Sequence, residues 1–508
     1  MTPTVKILEN LSRNSRKNKG EVFTRLYRYM LRPDLYYLAY KHLYANNGAS
    51  TKGVNDDTAD GFSEETVQQI VQSLTDGTYL PSPARRTYIK KSNGKMRPLG
   101  IPTFTDKLVQ EVLRMILEAV YEPVFLNSSC GFRPKRSCHT ALTQVTKGFN
   151  GIRWFVEGDI KGCFDNIDHH VLTGFINSKI KDAKLIQLLW KFLKAGYMED
   201  WKCHATYSGT PQGGIISPIL ANIYLHELDQ FVLKLAGEFD RPAEKYYTPE
   251  YDYLRHRMSS LSRKINKSTG SAREMLITEK KIVRAQMVKT PCKSQTDKKI
   301  KYVRYADDFI IGVNGDSKDC AWIKQQLSNF IADTLKMELS DEKTLITHSS
   351  KHARFLGYDV QVRRSSQAKG TKLGHTKRTL NQKVELNVPL DDKVMKFLFD
   401  KSVIKQEPDG QIKPQSRTFL TGCTDLEIVQ TYNAELRGIC NYYSIASNFN
   451  KLNYFAYLME YSCLKTLAHK HKSTTSKMIK KYKDGKGGWA IPYETKQGAT
   501  LEPVQRLC

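Results

Sequence analysis

One stretch constrains this chain more than any other: Lys301-Tyr302-Val303-Arg304-Tyr305-Ala306-Asp307-Asp308-Phe309-Ile310-Ile311-Gly312-Val313. Val, Ile, Tyr and Phe favour strands, and Asp disfavours them. Two β-rich runs flanking an Asp pair predict a tight hairpin, with strands over 302–306 and 309–313 and both carboxylates at its tip. Adjacent carboxylates repel each other unless a cation lies between them. Hard oxygen donors on a short turn suit Mg2+, which takes one or two carboxylates and leaves positions for phosphates. An Asp-Asp pair is more commonly a solvated turn, but flanks this apolar do not belong to a surface loop.

The charge balance says what such a cation could serve. The chain carries a formal net charge of +27 with a pI near 9.5, which fits a polyanionic partner, most often nucleic acid. The excess is spread along the sequence and suggests a long binding track. At 508 residues and 40% hydrophobic content there is material for about three domains of ~150 residues each. No apolar run reaches the ~18 residues of a membrane span, and no strongly amphipathic basic helix marks a membrane surface. The first twenty residues carry Arg13, Arg16, Lys17 and Lys19 but lack the apolar stretch of a secretory signal. Ten cysteines without a Cys-x-x-Cys pair argue against a zinc module and for free thiols in a reducing compartment.

Along the chain, residues 21–46 have Phe23, Leu26, Met30, Tyr37, Leu38 and Leu43 at roughly helical spacing and predict a helix. Ser63 followed by Glu64 and Glu65 predicts a capped helix start. Residues 86–101 predict a second hairpin, turning at Asn93-Gly94 and crowded with cations at its tip. A charged solvated turn is the bland reading there; a clamp on phosphates is the functional one, and the density of cations favours it. Residues 153–160 predict a buried strand with Asp159 near its end, then a loop over 161–166 and a helix from about Asp168. Ser217-Pro218 predicts another helix start, Ser as cap and Pro at the first helical position. Residues 237–299 are polar, basic and thin in apolar side chains, as in an insertion between core elements. A basic linker over 363–377 ends the first large unit. Residues 389–472 are mostly helical, with tyrosines and phenylalanines dense enough to be assigned to a core. The Lys/Gly-rich stretch after Lys480 is expected to be loosely ordered.

Asp159 is the natural third carboxylate for Asp307 and Asp308. Phosphoryl-transfer sites hold two metals ~3.5–4 Å apart between such groups. One can activate a 3′ hydroxyl while the other stabilises leaving pyrophosphate and positions the triphosphate. Ordered along the chain are 95–102 (KMRPLGIP), 131–134 (GFRP), 157–167 (EGDIKGCFDNI), 209–218 (GTPQGGIISP), 305–308 (YADD), 342–344 (EKT) and 355–358 (FLGY). This series resembles the reverse transcriptase blocks of group II intron-encoded proteins. Residues 432–439 (YNAELRGI) with Asn441-Tyr442-Tyr443 look like the maturase domain X of that family. The likeness runs from about Glu21 to His471.

The resemblance implies an α+β right-hand polymerase whose palm carries an antiparallel sheet, followed by an α-helical thumb. Its expected divisions are an N-terminal extension over 1–62 and fingers and palm over 63–362. A thumb and maturase domain over 378–475 and a basic C-terminal segment over 476–508 follow. Asp159, Asp307 and Asp308 fall on the metal-binding catalytic positions, with the main-chain carbonyl of Ile160 as a further ligand to one of two Mg2+ ions. Lys91 and Arg97 match residues that grip the incoming dNTP. Phe164 matches a ring beneath the sugar that selects deoxynucleotides, although core packing would serve it equally well. Gln212 matches a residue beside the nucleotide, with Gly213 and Gly214 allowing close backbone approach. Residues 355–358 match a hairpin that holds the primer end.

The implied activity is RNA-directed DNA synthesis coupled to intron splicing. Its implied partners are the intron RNA template and a DNA primer or target, with a homodimer compatible and a bacterial cytoplasm as the setting. Many family members end in a zinc-supported endonuclease; without its paired cysteines, no nuclease activity is expected of these 508 residues. Another prokaryotic reverse transcriptase, of retron type, would lack the block at 432–443. A non-catalytic splicing chaperone would have lost the aspartates or the fingers motifs.

Overall fold

The computed structural model describes residues 4–503, apart from 47, 91–93, 95, 201, 205–207, 210–212, 243–245, 293–296, 366, 371–375, 379–381, 485–487 and 496–497. The chain divides into two compact units, Met1–His348 with Ser365–Thr379, and Ser349–Arg364 with Leu380–Cys508.

The first unit holds two sheets. Strands β1 (Ala84–Lys90) and β2 (Met96–Ile101) form an antiparallel hairpin extended by two short strands, Tyr197–Glu199 and Lys202–His204. Helix α1 (Phe104–Tyr121) follows and is buried along most of its length. The second sheet is built from β3 (Trp154–Asp159), β4 (Lys299–Tyr305), β5 (Asp308–Asn314) and β6 (Ile346–His348), in the order β4-β5-β3-β6 and antiparallel throughout. β3 and β5 are central and nearly all buried, which is why they read as continuous apolar runs.

Helices α2 (Ser217–Phe239) and α3 (Ser317–Asp333) pack against this sheet, as does the helix Cys138–Gly148. Phe231 of α2 stacks on Phe330 of α3 at 4.2 Å. The apolar side chains of α1, α2, α3 and the sheet form one continuous core.

Several expectations are corrected. The carboxylates are not both at the hairpin tip: Tyr305 pairs with Asp308, so the turn is Ala306-Asp307 and Asp308 opens β5. Residues 21–46 are not one helix, because Pro33 opens a new one (Pro33–Tyr44) after a single turn at Tyr27–Met30. Ser217 is the first helical residue of α2, not its cap. The basic insertion folds as a helical hairpin, Pro249–Lys267 against Gly270–Lys289, around a small core of Leu254, Leu261 and Val283.

In the second unit, β7 (Ala353–Phe355), β8 (Tyr358–Val362) and β9 (Val384–Asn387) form a small antiparallel sheet. Helices α4 (Asp425–Tyr442) and α5 (Leu452–Lys470) pack together. Here the core assignment of the aromatics holds for Tyr432, Tyr443 and Phe455, but Tyr442, Tyr454, Tyr457 and Tyr461 are exposed. Strands Ala490–Thr495 and Gly498–Pro503 pair antiparallel, and Asn433 on α4 donates to Glu502 Oε1 and to the Pro503 carbonyl. The stretch expected to be loose is tied down there. No helix among the described residues is long and apolar enough to cross a membrane.

Candidate active site

Sheet register brings the three carboxylates together. Asp159, the last residue of β3, lies directly opposite Asp308, the first of β5. Asp307 occupies the adjoining turn, in which Ala306 has φ 56°. A positive φ at the first central position alone is the pattern of a type II′ turn, where glycine is usual. An alanine held there costs on the order of 1–2 kcal/mol.

The electrostatics follow from that crowding. Burial, then Asp307 and Asp159, push the Asp308 carboxyl up to about 7, and Asp308 and Asp159 are within hydrogen-bonding reach. Burial also raises Asp307, with Asp159 adding to it and Lys343 and Arg97 opposing it. Two carboxyls so close must share a proton or a cation.

One cation is present in the chain itself. Lys343 Nζ donates to Asp159 Oδ2 at 2.7 Å, and this bond raises the lysine. The loop carrying Lys343 is anchored to the same residue, since Ser340 N–H donates to the Asp159 carbonyl at 2.8 Å.

These donors fit divalent ions of the kind that work with substrate. Among the described residues no group of three or more His, Cys, Asp or Glu side chains is arranged to hold a metal ion. Mg2+ is seldom held by an all-protein group; it binds through one or two carboxylates, waters and substrate phosphates. Asp159, Asp307 and Asp308 offer that open set.

The other expected residues fall as follows. Ile160 buries its side chain and pairs with Leu339 just beyond Asp159. Arg97 is exposed on β2, and its charge is felt at Asp307. Phe164 is half-buried, with one face on the core and its ring edge-to-face with Phe132 at 5.9 Å. The core-packing reading of this ring thus holds in part. Lys91 and Gln212 lie outside the described residues. Gly213 has φ 111°, and a Cβ there would lie 2.6 Å from the Gly100 carbonyl oxygen, so the close backbone approach it makes is to Gly100. In the second unit, the 355–358 block meets the 441–443 block. Tyr442 donates to the Leu356 carbonyl at 2.6 Å and Tyr443 to the Gly357 carbonyl at 3.2 Å.

Lys343 had no role in the sequence reading, although it lies in the 342–344 block. Only folding shows that it reaches a carboxylate 184 residues away.

Comparisons with known proteins show the family of the chain. The family model "Reverse transcriptase (RNA-dependent DNA polymerase)" matches residues 89–246 and 277–360. The break between the two segments falls within the helical hairpin of the insertion. The model "Type II intron maturase" matches residues 381–498. The chain is 62% identical over 500 residues to group II intron-encoded protein LtrA of Lactococcus lactis subsp. cremoris, covering 98% of this chain and 83% of that one. It is 37% identical to an uncharacterized 91 kDa protein in the cob intron of Schizosaccharomyces pombe, covering 94% of this chain and 58% of that one. It is 34% identical to a putative COX1/OXI3 intron 1 protein of Saccharomyces cerevisiae, covering 94% and 56%. The chain thus spans little more than half the length of these two yeast relatives. It belongs to the group II intron-encoded proteins, as an RNA-directed DNA polymerase joined to an intron maturase.

Proposed function

We propose that Asp159, Asp307 and Asp308, with the main-chain carbonyl of Ile160, hold two Mg2+ ions and form the polymerising centre. The observation that carries this reading is the in-register pairing of Asp159 with Asp308 beside Asp307, which also feels the charge of Arg97. Bound there, the ions would activate a primer 3′ hydroxyl and neutralise charge developing on the leaving pyrophosphate. Arg97 and Lys91 grip the dNTP triphosphate, for which a guanidinium offers paired donors. Phe164 lies beneath the sugar and excludes a 2′ hydroxyl, and Gln212 borders the nucleotide.

The template is the intron RNA, whose splicing the protein assists, and the primer is DNA at the target site. Fingers and palm occupy 63–362, extended by 1–62. The thumb and maturase domain occupies 378–475, and 476–508 is a basic segment for DNA. The setting is a bacterial cytoplasm, and a homodimer is the proposed assembly, which light scattering on the purified protein reads directly. A splicing chaperone without polymerase activity is disfavoured by the intact carboxylate set.

The test is primer extension on an RNA template with dNTPs across a Mg2+ titration. The wild type is expected to saturate with Mg2+, while Asp159→Asn loses ~100-fold or more in rate. Extension by Asp159→Asn at the wild-type rate would contradict the metal assignment.

A further inference from the structure

Arg304 is the residue just before the Tyr-Ala-Asp-Asp block, and its side chain is wholly buried, at 0% exposure. A charged side chain cut off from water needs partners for every donor. Arg304 has them. Its Nε and Nη2 donate to Asp229 Oδ1 and Oδ2, each at 2.7 Å. Nη2 also donates to Ser129 Oγ at 2.8 Å, and Nη1 to Asn222 Oδ1 at 3.4 Å. The remaining Nη1–H goes to the main-chain carbonyl of Ala306 at 2.9 Å. All five N–H groups are thus accounted for, and one of them holds the left-handed residue of the carboxylate turn.

The same partners press on that turn from a second side. Arg304 N–H donates to the Ser128 carbonyl at 2.8 Å, and the Arg304 carbonyl accepts from Cys130 N–H at 2.9 Å. Asn222 Nδ2 donates to the Gly131 carbonyl at 2.9 Å. Gly131 is seated so closely that a Cβ there would lie 2.3 Å from Ala306 N. Tyr302 donates its hydroxyl to Asp229 Oδ1 at 2.8 Å, so the ion pair is braced along β4 as well.

We infer that Arg304, anchored by Asp229 on α2, is a positioning residue: its buried fork fixes the Ala306-Asp307 turn, and through it the placement of Asp307 and Asp308 for metal. This rests on the metal-binding role proposed for those two carboxylates. The guanidinium touches neither substrate nor metal; it acts through the Ala306 carbonyl. Mg2+ demands near-ideal octahedral geometry, so a turn freed to relax from its positive φ holds the ion less well.

The test compares the wild type with an Arg304→Met/Asp229→Leu double variant and with Arg304→Lys. Replacing both members of a buried ion pair by apolar residues of similar size commonly preserves folding, which thermal unfolding verifies. Arg304→Lys keeps the charge and loses the planar fork; it also serves if the double variant does not fold. Mn2+ binding, read by electron paramagnetic resonance, is expected to weaken ~10-fold in both variants. Primer-extension kcat is expected to fall about 100-fold while the dNTP KM stays near the wild-type value.

A merely structural role would lower the active fraction without moving Mn2+ affinity. Folded variants with wild-type Mn2+ affinity and wild-type kcat would overturn the inference, and rescue by lysine would assign the effect to charge alone. If the wild type made no cDNA, the polymerase reading would fail, while the Mn2+ measurement would still decide the clamp.

Discussion

Two β-hairpins of the first unit face the same chemistry and are built in opposite ways. In β4–β5 the charged groups are held from inside: Arg304 is buried with every donor occupied, and Asp159 is locked opposite Asp308 by strand register. In β1–β2 the cations Lys90 and Arg97 stand exposed to solvent. A carboxylate centre must be pre-organised, because misplacing a metal by a fraction of an ångström wastes the geometry on which catalysis depends. The triphosphate grip proposed for β1–β2 must engage and release each substrate, which long side chains at the surface allow. On the proposed function, the carboxylate hairpin governs the rate and the cationic hairpin the affinity for dNTP.

That division can be broken or sharpened by substitution. Gly131→Ala drives a Cβ into Ala306 N and should lower kcat about 100-fold with the dNTP KM nearly unchanged, as steady-state single-nucleotide kinetics would show. A rise in KM alone would erase the distinction between the hairpins. Arg97→Ala should do the reverse, raising the dNTP KM ~10-fold or more through loss of a charge-assisted hydrogen bond, with kcat nearly unchanged.

Phe164→Ala should lower discrimination between dNTP and rNTP ~10-fold, since part of the ring already serves the core. Competition between the two substrates in one extension reaction measures it.

The smallest effect concerns stability. Because the Asp308 carboxyl is raised from 3.8 to about 7, its contribution to stability is full below 3.8 and is lost as pH rises through about 7. In chelator, Asp308→Asn should therefore be the more thermally stable protein near neutral pH, and the gap should close as pH falls towards 3.8. A gap that widened on acidification would reverse the sign of the electrostatics described for the site.

What the sequence disclosed followed from period and register. The apolar run ending at Asp159 identifies a buried strand and the runs flanking Asp307-Asp308 a hairpin, and the cation-rich segment 86–101 marks a second hairpin. Three features resisted. Lys343 pairs with Asp159 across 184 residues, a contact that no local pattern encodes. The clamp left little local trace, since Arg304 is one of three cations on β4 beside Lys299 and Lys301, and its partners Ser129, Asn222 and Asp229 come from a loop and a helix remote in sequence. On α5 the helix is buried around most of its circumference, so spacing alone does not separate the core ring of Phe455 from the exposed rings of Tyr454, Tyr457 and Tyr461. These three rings neighbour one another in sequence order, with centroids 6.2 and 4.5 Å apart.

The most direct measurement is DNA synthesis on an RNA template in Mg2+ by the wild type beside an Asp307→Ala/Asp308→Ala variant, with folding of the variant verified. The wild type is expected to extend the primer and the variant to fall ~1000-fold or more. Equal cDNA from the two proteins would contradict the assignment of the polymerising centre to the Ala306-Asp307 turn and the first residue of β5.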